Sequence, residues 1–461
     1  MNRKSSVPIF QFAVATSSYQ IEGNVDRDGR SDGIWDVFAR RNGAIRNGDD
    51  ATMACDHYLL WQEDLALLRE LGVDGYRFSL SWPRLLPDGI GQVNEAGVAH
   101  YEALLDKLCE AGIAPWLTLY HWDLPQALQD RGGWQNREIV HWLDEFADLV
   151  DRRFGKYLDK LIVLNEACMT SHRGHAFGTD APGVADRAAF FAAIHHQNLA
   201  QGRVLRSLAG RSYEIGTAVL IQPAVAATDS EADRSAAAFL DATWNGACLD
   251  PLFRGSYPAD LADDLGPLIR DGDMELVRQP IDFLGVNYYV RSFVRSAPGT
   301  VLGLERARGL GEDWRSPFGM ECYPKGLEDV LAEVRESCGN PTVLITECGY
   351  ADTDDMSLDS LIEDDERIRY LEALLQSIDR ANAAGSDVRG MAVWSLLDNF
   401  EWEFGYWPRF GLVHVDYQTL RRTPKKSFHW LGERIAAGRA GDQIDPRIPE
   451  AGRTQSGLFD R

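Results

Sequence analysis

Two short apolar runs in this chain each end in a glutamate: LIVLNE closes on Glu166 and VLITE closes on Glu347. Aliphatic and β-branched runs that stop at a polar residue read as buried β-strands. Two carboxyl groups delivered at the ends of separate strands can cut the bond between a sugar and its neighbour. One protonates the departing oxygen, while the other attacks the sugar or activates water. Strands often end in Glu, so the pair acquires meaning only from the elements that position it.

Strand-like runs recur at 11–17, 76–82, 115–121, 161–166, 215–222, 283–289, 343–348 and 390–396. Helical stripes fall between them. Trp61, Leu65, Leu68 and Gly72 step by 4, 3, 4, and Val98, Tyr101, Leu105 and Leu108 step by 3, 4, 3. Ile139, Trp142, Phe146 and Leu149 repeat that stripe, and further helices are expected at 187–208, 231–248, 365–385 and 425–437. The length alone would allow about three domains, but that prior is soft and α/β barrels exceed it. Eight strand–helix units without a Gly-, Pro- or Ser-rich linker predict an α/β fold: a single (β/α)8 barrel with elaborated βα loops over 1–437, and a tail over 438–461.

Barrel enzymes carry their chemistry at the C-terminal strand ends and the loops beyond them. Those ends hold Gln20, Arg77, His121, Trp122, Asn165, Glu166, Asn287, Tyr289, Glu347 and Trp394, with Glu401 and Trp402 on the loop after the last strand. Asn165 and Glu166 are consecutive, and strand side chains alternate faces. Both reach one pocket only if that strand ends in a bulge.

Composition removes whole classes of function. A formal charge of −23 lacks the basic face that nucleic acid requires. It also disfavours a strongly anionic substrate unless Lys and Arg reverse the field locally. The 13 Trp and 15 Tyr serve core packing as readily as sugar stacking. Seven cysteines, at 55, 109, 168, 248, 322, 338 and 348, contain no CxxC pair and read as free thiols in a reducing compartment. No metal-binding spacing is present, so neither metal nor cofactor is expected. The acidic stretch from Asp352 to Glu366 lacks the spacing of a calcium loop and reads as solvated. Arg3, Lys4 and VPIFQFAVA mimic a signal peptide, but Pro8 and Gln11 interrupt the apolar stretch and cleavage would destroy the first strand. No run reaches a membrane span. The expectation is a cytoplasmic protein with a small-molecule substrate and no nucleic-acid or membrane partner. Homo-oligomerisation is left open.

Longer segments carry a resemblance. YQIEG (19–23), YRFSLSWPR (76–84), TLYHWDLPQAL (118–128), NE (165–166), LGVNYY (284–289), ITECG (345–349), WSLLDNFEW (394–402), YWPRFGLVHVDY (406–417) and RTPKKS (422–427) resemble glycoside hydrolase family 1, in order, from about residue 10 to 432. The resemblance implies a retaining β-glucosidase that acts on neutral β-glucosides or cello-oligosaccharides and extends to β-galactosides or β-fucosides. It makes Glu166 the acid/base and Glu347 the nucleophile, a pair that must sit about 5–5.5 Å apart for retention. Arg77 would hold Glu347 as an anion, and Tyr289 would touch it. Gln20, His121, Trp402 and Glu401 would bind sugar hydroxyls, Trp394 would stack beneath the ring and Asn165 would bind the 2-hydroxyl. Trp122 and Asn287 complete the expected substrate-binding set. Relatives that act on 6-phosphorylated sugars typically carry a small hydroxyl residue where Glu401 stands, so the resemblance favours an unphosphorylated hexoside.

The chain departs from the family pattern at Leu161, Val163 and Ala167, where W-x-T-x-N-E-P is common. Cys168 replaces a frequent aromatic and is expected to border the aglycone subsite. Cys348 replaces the usual Asn and, by strand alternation, should point away from the pocket. Two further readings stay open: a transglycosylase in which an alcohol resolves the glycosyl-enzyme, and an inactive sugar-binding protein. The second sits poorly with the retention of both glutamates.

Overall fold

The computed structural model describes residues 10–353 and 362–440. Eight parallel strands close into a barrel. They are β1 (Gln11–Ala15), β2 (Gly75–Ser79), β3 (Ala114–Tyr120), β4 (Lys160–Asn165), β5 (Glu214–Leu220), β6 (Phe283–Asn287), β7 (Thr342–Cys348) and β8 (Asp387–Trp394). Each pairs with its sequence neighbours, and β1 joins β8 in register Gln11 to Gly390 to close the ring. The segment mimicking a signal peptide thus supplies a barrel strand.

Eight principal helices surround the barrel: α1 (His57–Leu71), α2 (Glu95–Glu110), α3 (Ile139–Phe154), α4 (Arg187–Ser207), α5 (Glu231–Asp241), α6 (Pro324–Ser337), α7 (Asp365–Ala383) and α8 (Lys426–Ala440). The expected stripes face inward: Leu65 and Leu68 on α1, Val98, Tyr101 and Leu105 on α2, and Ile139, Trp142 and Phe146 on α3 are all buried. Gly72, in the left-handed region at φ 71°, ends α1, a conformation that costs glycine nothing.

Two layers of core follow from strand alternation. Ala13, Trp116, Ile162, Ala218, Phe283, Leu344 and Ala392 fill the barrel interior. Leu161, Val163, Leu284, Ile345 and Val393 instead pack outward against the helices. The interior is tight: a side chain at Gly75 would start 2.8 Å from the Trp116 indole, so glycine there leaves the tryptophan its seat. The departures at Leu161 and Val163 therefore fall in the outer layer, away from the strand-end chemistry.

Two expectations change. The helix expected over 231–248 stops at Asp241, widens into a π turn over Ala242–Gly246 and resumes as Ala247–Phe253. The widened turn brings Asn245 to the end of β5, where its side chain accepts from Gln222 N at 3.1 Å and donates to Gln222 O at 2.9 Å. Such turns recur beside functional sites. The last helix, expected over 425–437, runs as α8 from Lys426 to Ala440. Residues 354–361, the centre of the acidic stretch, and the tail from 441 lie outside the described residues.

Candidate active site

The strand ends open into a cleft of about 950 Å³ lined by Gln20, His121, Trp122, Asn165, Glu166, Tyr289, Glu347, Trp394, Glu401 and Trp402. Arg77 and Asn287 are fully buried beneath its floor. Every expected position except Cys168 thus belongs to one constellation.

The bulge that consecutive Asn165 and Glu166 require is present. The pairing of β4 with β5 shifts register between Ile162 and Asn165. Glu166 then turns into the left-handed region at φ 53° and caps the short helix Ala167–Ser171. Trp122 and Trp402 also take positive φ, 79° and 55°. Such backbone costs about 1–3 kcal/mol per residue and persists where surrounding structure holds a functional group in place.

Arg77 orders the floor. A guanidinium can only donate, so the oxygen of Asn165 that receives Arg77 Nη2 at 2.6 Å must be the carbonyl Oδ1. Asn165 Oδ1 also accepts from Asn287 Nδ2 at 3.0 Å, which leaves Asn287 Oδ1 to accept from the Thr346 hydroxyl at 2.6 Å. Asn165 must then donate from Nδ2 to His121 Nε2, 3.2 Å away. Burial, with Arg77 nearby, pushes the His121 imidazole well below its usual pKa, so the ring is neutral. Its proton therefore sits on Nδ1, a buried nitrogen with no protein partner. Gln20 spends its amide hydrogens on Asn399 Oδ1 and Phe400 O, at 2.9 and 2.8 Å, while its Oε1 accepts from the Ser17 hydroxyl at 2.6 Å and keeps one lone pair for a further donor.

The two candidate carboxyls receive opposite treatment. Glu347 accepts on both oxygens: Oε1 from Arg77, and Oε2 from the Tyr289 hydroxyl at 2.9 Å. Burial and then the Glu347 charge hold the Tyr289 phenol well above its usual pKa, so it remains a donor. Glu166 receives a single amide, Asn287 Nδ2 on Oε1 at 2.6 Å. Burial, followed by the neighbouring Glu347 charge, drives its pKa well above the usual carboxyl range. With Oε1 occupied as an acceptor, the proton resides on Oε2.

Aromatic groups build the walls. His121 stacks with Trp394 at 5.7 Å between ring centres, and Trp402 packs on Trp35 and Trp122 at 4.5 and 4.6 Å. Trp394 Nε1 donates to Glu401 Oε1 at 3.1 Å. Burial, reinforced by Glu347, raises the Glu401 pKa to about 8.

Cys168 requires correction. It is fully buried, donates to Leu220 O at 3.6 Å and does not line the cleft; its neighbour Met169 does. Residue 168 lies in the short helix that follows Glu166, and that helix turns its side chain into the core instead of toward the position a larger aromatic would take. Cys168→Trp should therefore overpack the core, costing about 1–3 kcal/mol. A lowered thermal midpoint with unchanged leaving-group selectivity is the expected readout. Cys348 packs away from the cleft, its thiol 3.9 Å from Ala392 O. Ala167 opens the short helix, where proline is also accommodated.

The outer cleft went unseen in the sequence. Met169, Arg173, Leu220, Gln222, Phe318 and Glu403 line it. Arg173 makes a double contact with Asp180 at 2.8 Å and pairs with Glu403. Phe318 sits in an irregular segment without periodicity. Arg173, seven residues after Glu166 on a second π turn, offers no motif either. Among the described residues no cluster of His, Cys, Asp and Glu has the arrangement of a metal site.

A closed eight-stranded barrel with two differently tuned carboxyls at its C-terminal mouth defines a barrel glycosidase. Residues 5–439 match the family described as glycosyl hydrolase family 1, and the chain belongs to that family. It is 39% identical to beta-glucosidase A of Thermotoga maritima, over 93% of this chain and 97% of the relative. It is 38% identical to a 1,4-beta-D-glucan glucohydrolase of Thermotoga neapolitana, over 92% and 97%. Among solved structures, a psychrophilic beta-glucosidase from Micrococcus antarcticus superposes with a TM-score of 0.88 at 43% identity, covering 93% of this chain and 97% of its own.

Proposed function

We propose that Glu347 and Glu166 carry out the two displacements of a retaining β-glucosidase. The opposite setting of the two carboxyls carries this reading: donors on both oxygens of Glu347, and a raised pKa with one oxygen free on Glu166. Glu347 attacks C1 of the glucosyl residue while Glu166 Oε2 gives its proton to the glycosidic oxygen, and the aglycone leaves. The new ester neutralises Glu347, which removes one cause of the raised Glu166 pKa. Glu166, now a carboxylate, takes a proton from water as that water attacks C1, and glucose departs with the β configuration. Asn165 and His121, which line the cleft side by side, form part of the wall that receives the sugar hydroxyls, and contacts from Asn165 to the 2-hydroxyl strengthen as charge develops on the ring.

Glu401 directs the reading toward unphosphorylated sugars. No lysine lines the cleft among the described residues; its two arginines, Arg173 and Arg306, belong to the outer end, and Arg173 is paired with Asp180 and Glu403. With its pKa raised to about 8, Glu401 is mostly protonated at neutral pH and offers a phosphate no positive charge; where it ionises, one phosphate charge at ~4 Å would cost about 4 kcal/mol at an effective dielectric near 20. Glucose and cello-oligosaccharides meet no such penalty, and a relative named as a 1,4-beta-D-glucan glucohydrolase supports the latter. The seven thiols, all free, support a reducing and hence cytoplasmic setting. Among the described residues no helix is long and apolar enough to cross a membrane.

The test follows hydrolysis of an aryl β-glucoside and its 6-phosphate by proton NMR. β-Glucose should appear before the α anomer, and the phosphorylated substrate should remain. First appearance of α-glucose would refute retention, and comparable kcat/KM for both substrates would refute the role of Glu401.

A further inference from the structure

The outer end of the cleft carries a cation without a carboxylate of its own. Arg306 ends the short strand Leu304–Arg306, which pairs with Ser292–Ser296 beyond β6. Its side chain lines both the cleft and a neighbouring surface hollow. Nη2 donates to Gln222 Oε1 at 3.3 Å, and that oxygen already accepts from the Ser292 hydroxyl at 2.6 Å. The guanidinium also lies 5.8 Å from the centre of the Trp244 ring. Among the described residues no carboxylate reaches ion-pair distance of it. The nearby acids are committed elsewhere: Asp180 and Glu403 to Arg173, and Glu305 to Arg295 at 2.6 Å.

A guanidinium has five N–H donors, so most of those on Arg306 are unspent. The residue is exposed to solvent yet crowded by protein, and that crowding with Arg173 nearby lowers its pKa to about 10, which leaves it cationic at neutral pH. In a chain of formal charge −23 such a group stands against the overall field. The cleft that Arg306 lines also presents apolar surface from Leu220, Phe318, Met320 and Phe404. A leaving group held in this cleft is offered apolar side chains and a cation without a carboxylate partner.

We propose that Arg306 selects aglycones that combine an aromatic ring with a carboxylate, the carboxylate taking the unspent donors of the guanidinium. A second glucose would offer only neutral hydroxyls, whereas a carboxylate matches the planar fork and gains a charge-assisted bond. The inference rests on the β-glucosidase reading and names the leaving group that this site prefers.

The experiment compares the β-glucosides of 4-hydroxybenzoate and of its methyl ester, each with the wild type and with Arg306→Met. Taking the ratio of the two kcat/KM values for each enzyme, then comparing enzymes, cancels the intrinsic difference between leaving groups. Arg306→Met should lower the carboxylate-to-ester ratio about tenfold, the scale of one charged hydrogen bond. Added salt should erode the wild-type ratio and leave that of the variant unchanged. Arg306→Gln, which keeps a donor for Gln222, serves as a second variant should the first fold poorly. An equal loss for both glucosides in the variants would overturn the assignment. Failure of the wild type to cleave either compound would instead overturn the β-glucosidase reading.

Discussion

Glu347→Gly should abolish hydrolysis, on the order of 10⁴-fold or more, because the residue supplies the bond on which both displacements depend. The substitution removes the partner of Arg77 and Tyr289 and leaves a space beside a guanidinium. Azide or formate should enter that space as a surrogate nucleophile and restore turnover of glucosides with activated leaving groups. The product should carry the inverted configuration, since one displacement replaces two. Loss of activity without anion rescue would leave Glu347 a structural residue only.

Glu166→Ala should divide substrates by leaving group. A poor leaving group cannot depart without a proton, so its kcat/KM should fall by about 10²–10⁴, the usual worth of general acid catalysis. A good leaving group departs as the anion, and its kcat/KM should change little. The pH profile supplies a second readout. Glu166 acts as an acid only while protonated, and its pKa is raised by burial and by Glu347. Wild-type kcat/KM for a poor leaving group should therefore decline as pH rises through that elevated pKa, and the decline attributable to this residue should vanish in the variant. Equal losses across leaving groups would contradict the assignment.

The sequence exposes this architecture unevenly, for physical reasons. All eight barrel strands are legible because each lies in a short run rich in aliphatic or aromatic residues, buried by core on one face and helices on the other. Helices α1 to α3 are legible because they bury one stripe. The helix expected over 231–248 is overstated because nothing in local periodicity announces that Asn245 must reach the backbone of Gln222 across the end of β5. The inner pocket is readable since its residues follow strand ends in unbroken motifs. The outer pocket is assembled from irregular loops, so Phe318, Met320 and Arg306 acquire their roles only once the chain is folded. Cys168 fails in the other direction: the frequent aromatic it replaces suggested the subsite, but the helix turn sends its side chain into the core.

The account turns on a covalent bond between Glu347 and the sugar. A 2-deoxy-2-fluoroglucoside with an activated leaving group exposes it, because fluorine at C2 destabilises the electron-poor transition states of both steps while the activated leaving group lets the first proceed. After incubation and proteolysis, mass spectrometry should find the fluoroglucosyl group on the peptide containing Glu347, with one sugar per protein and activity lost in parallel. A label on Glu166 or any other residue, or full inactivation with no label, would contradict the account.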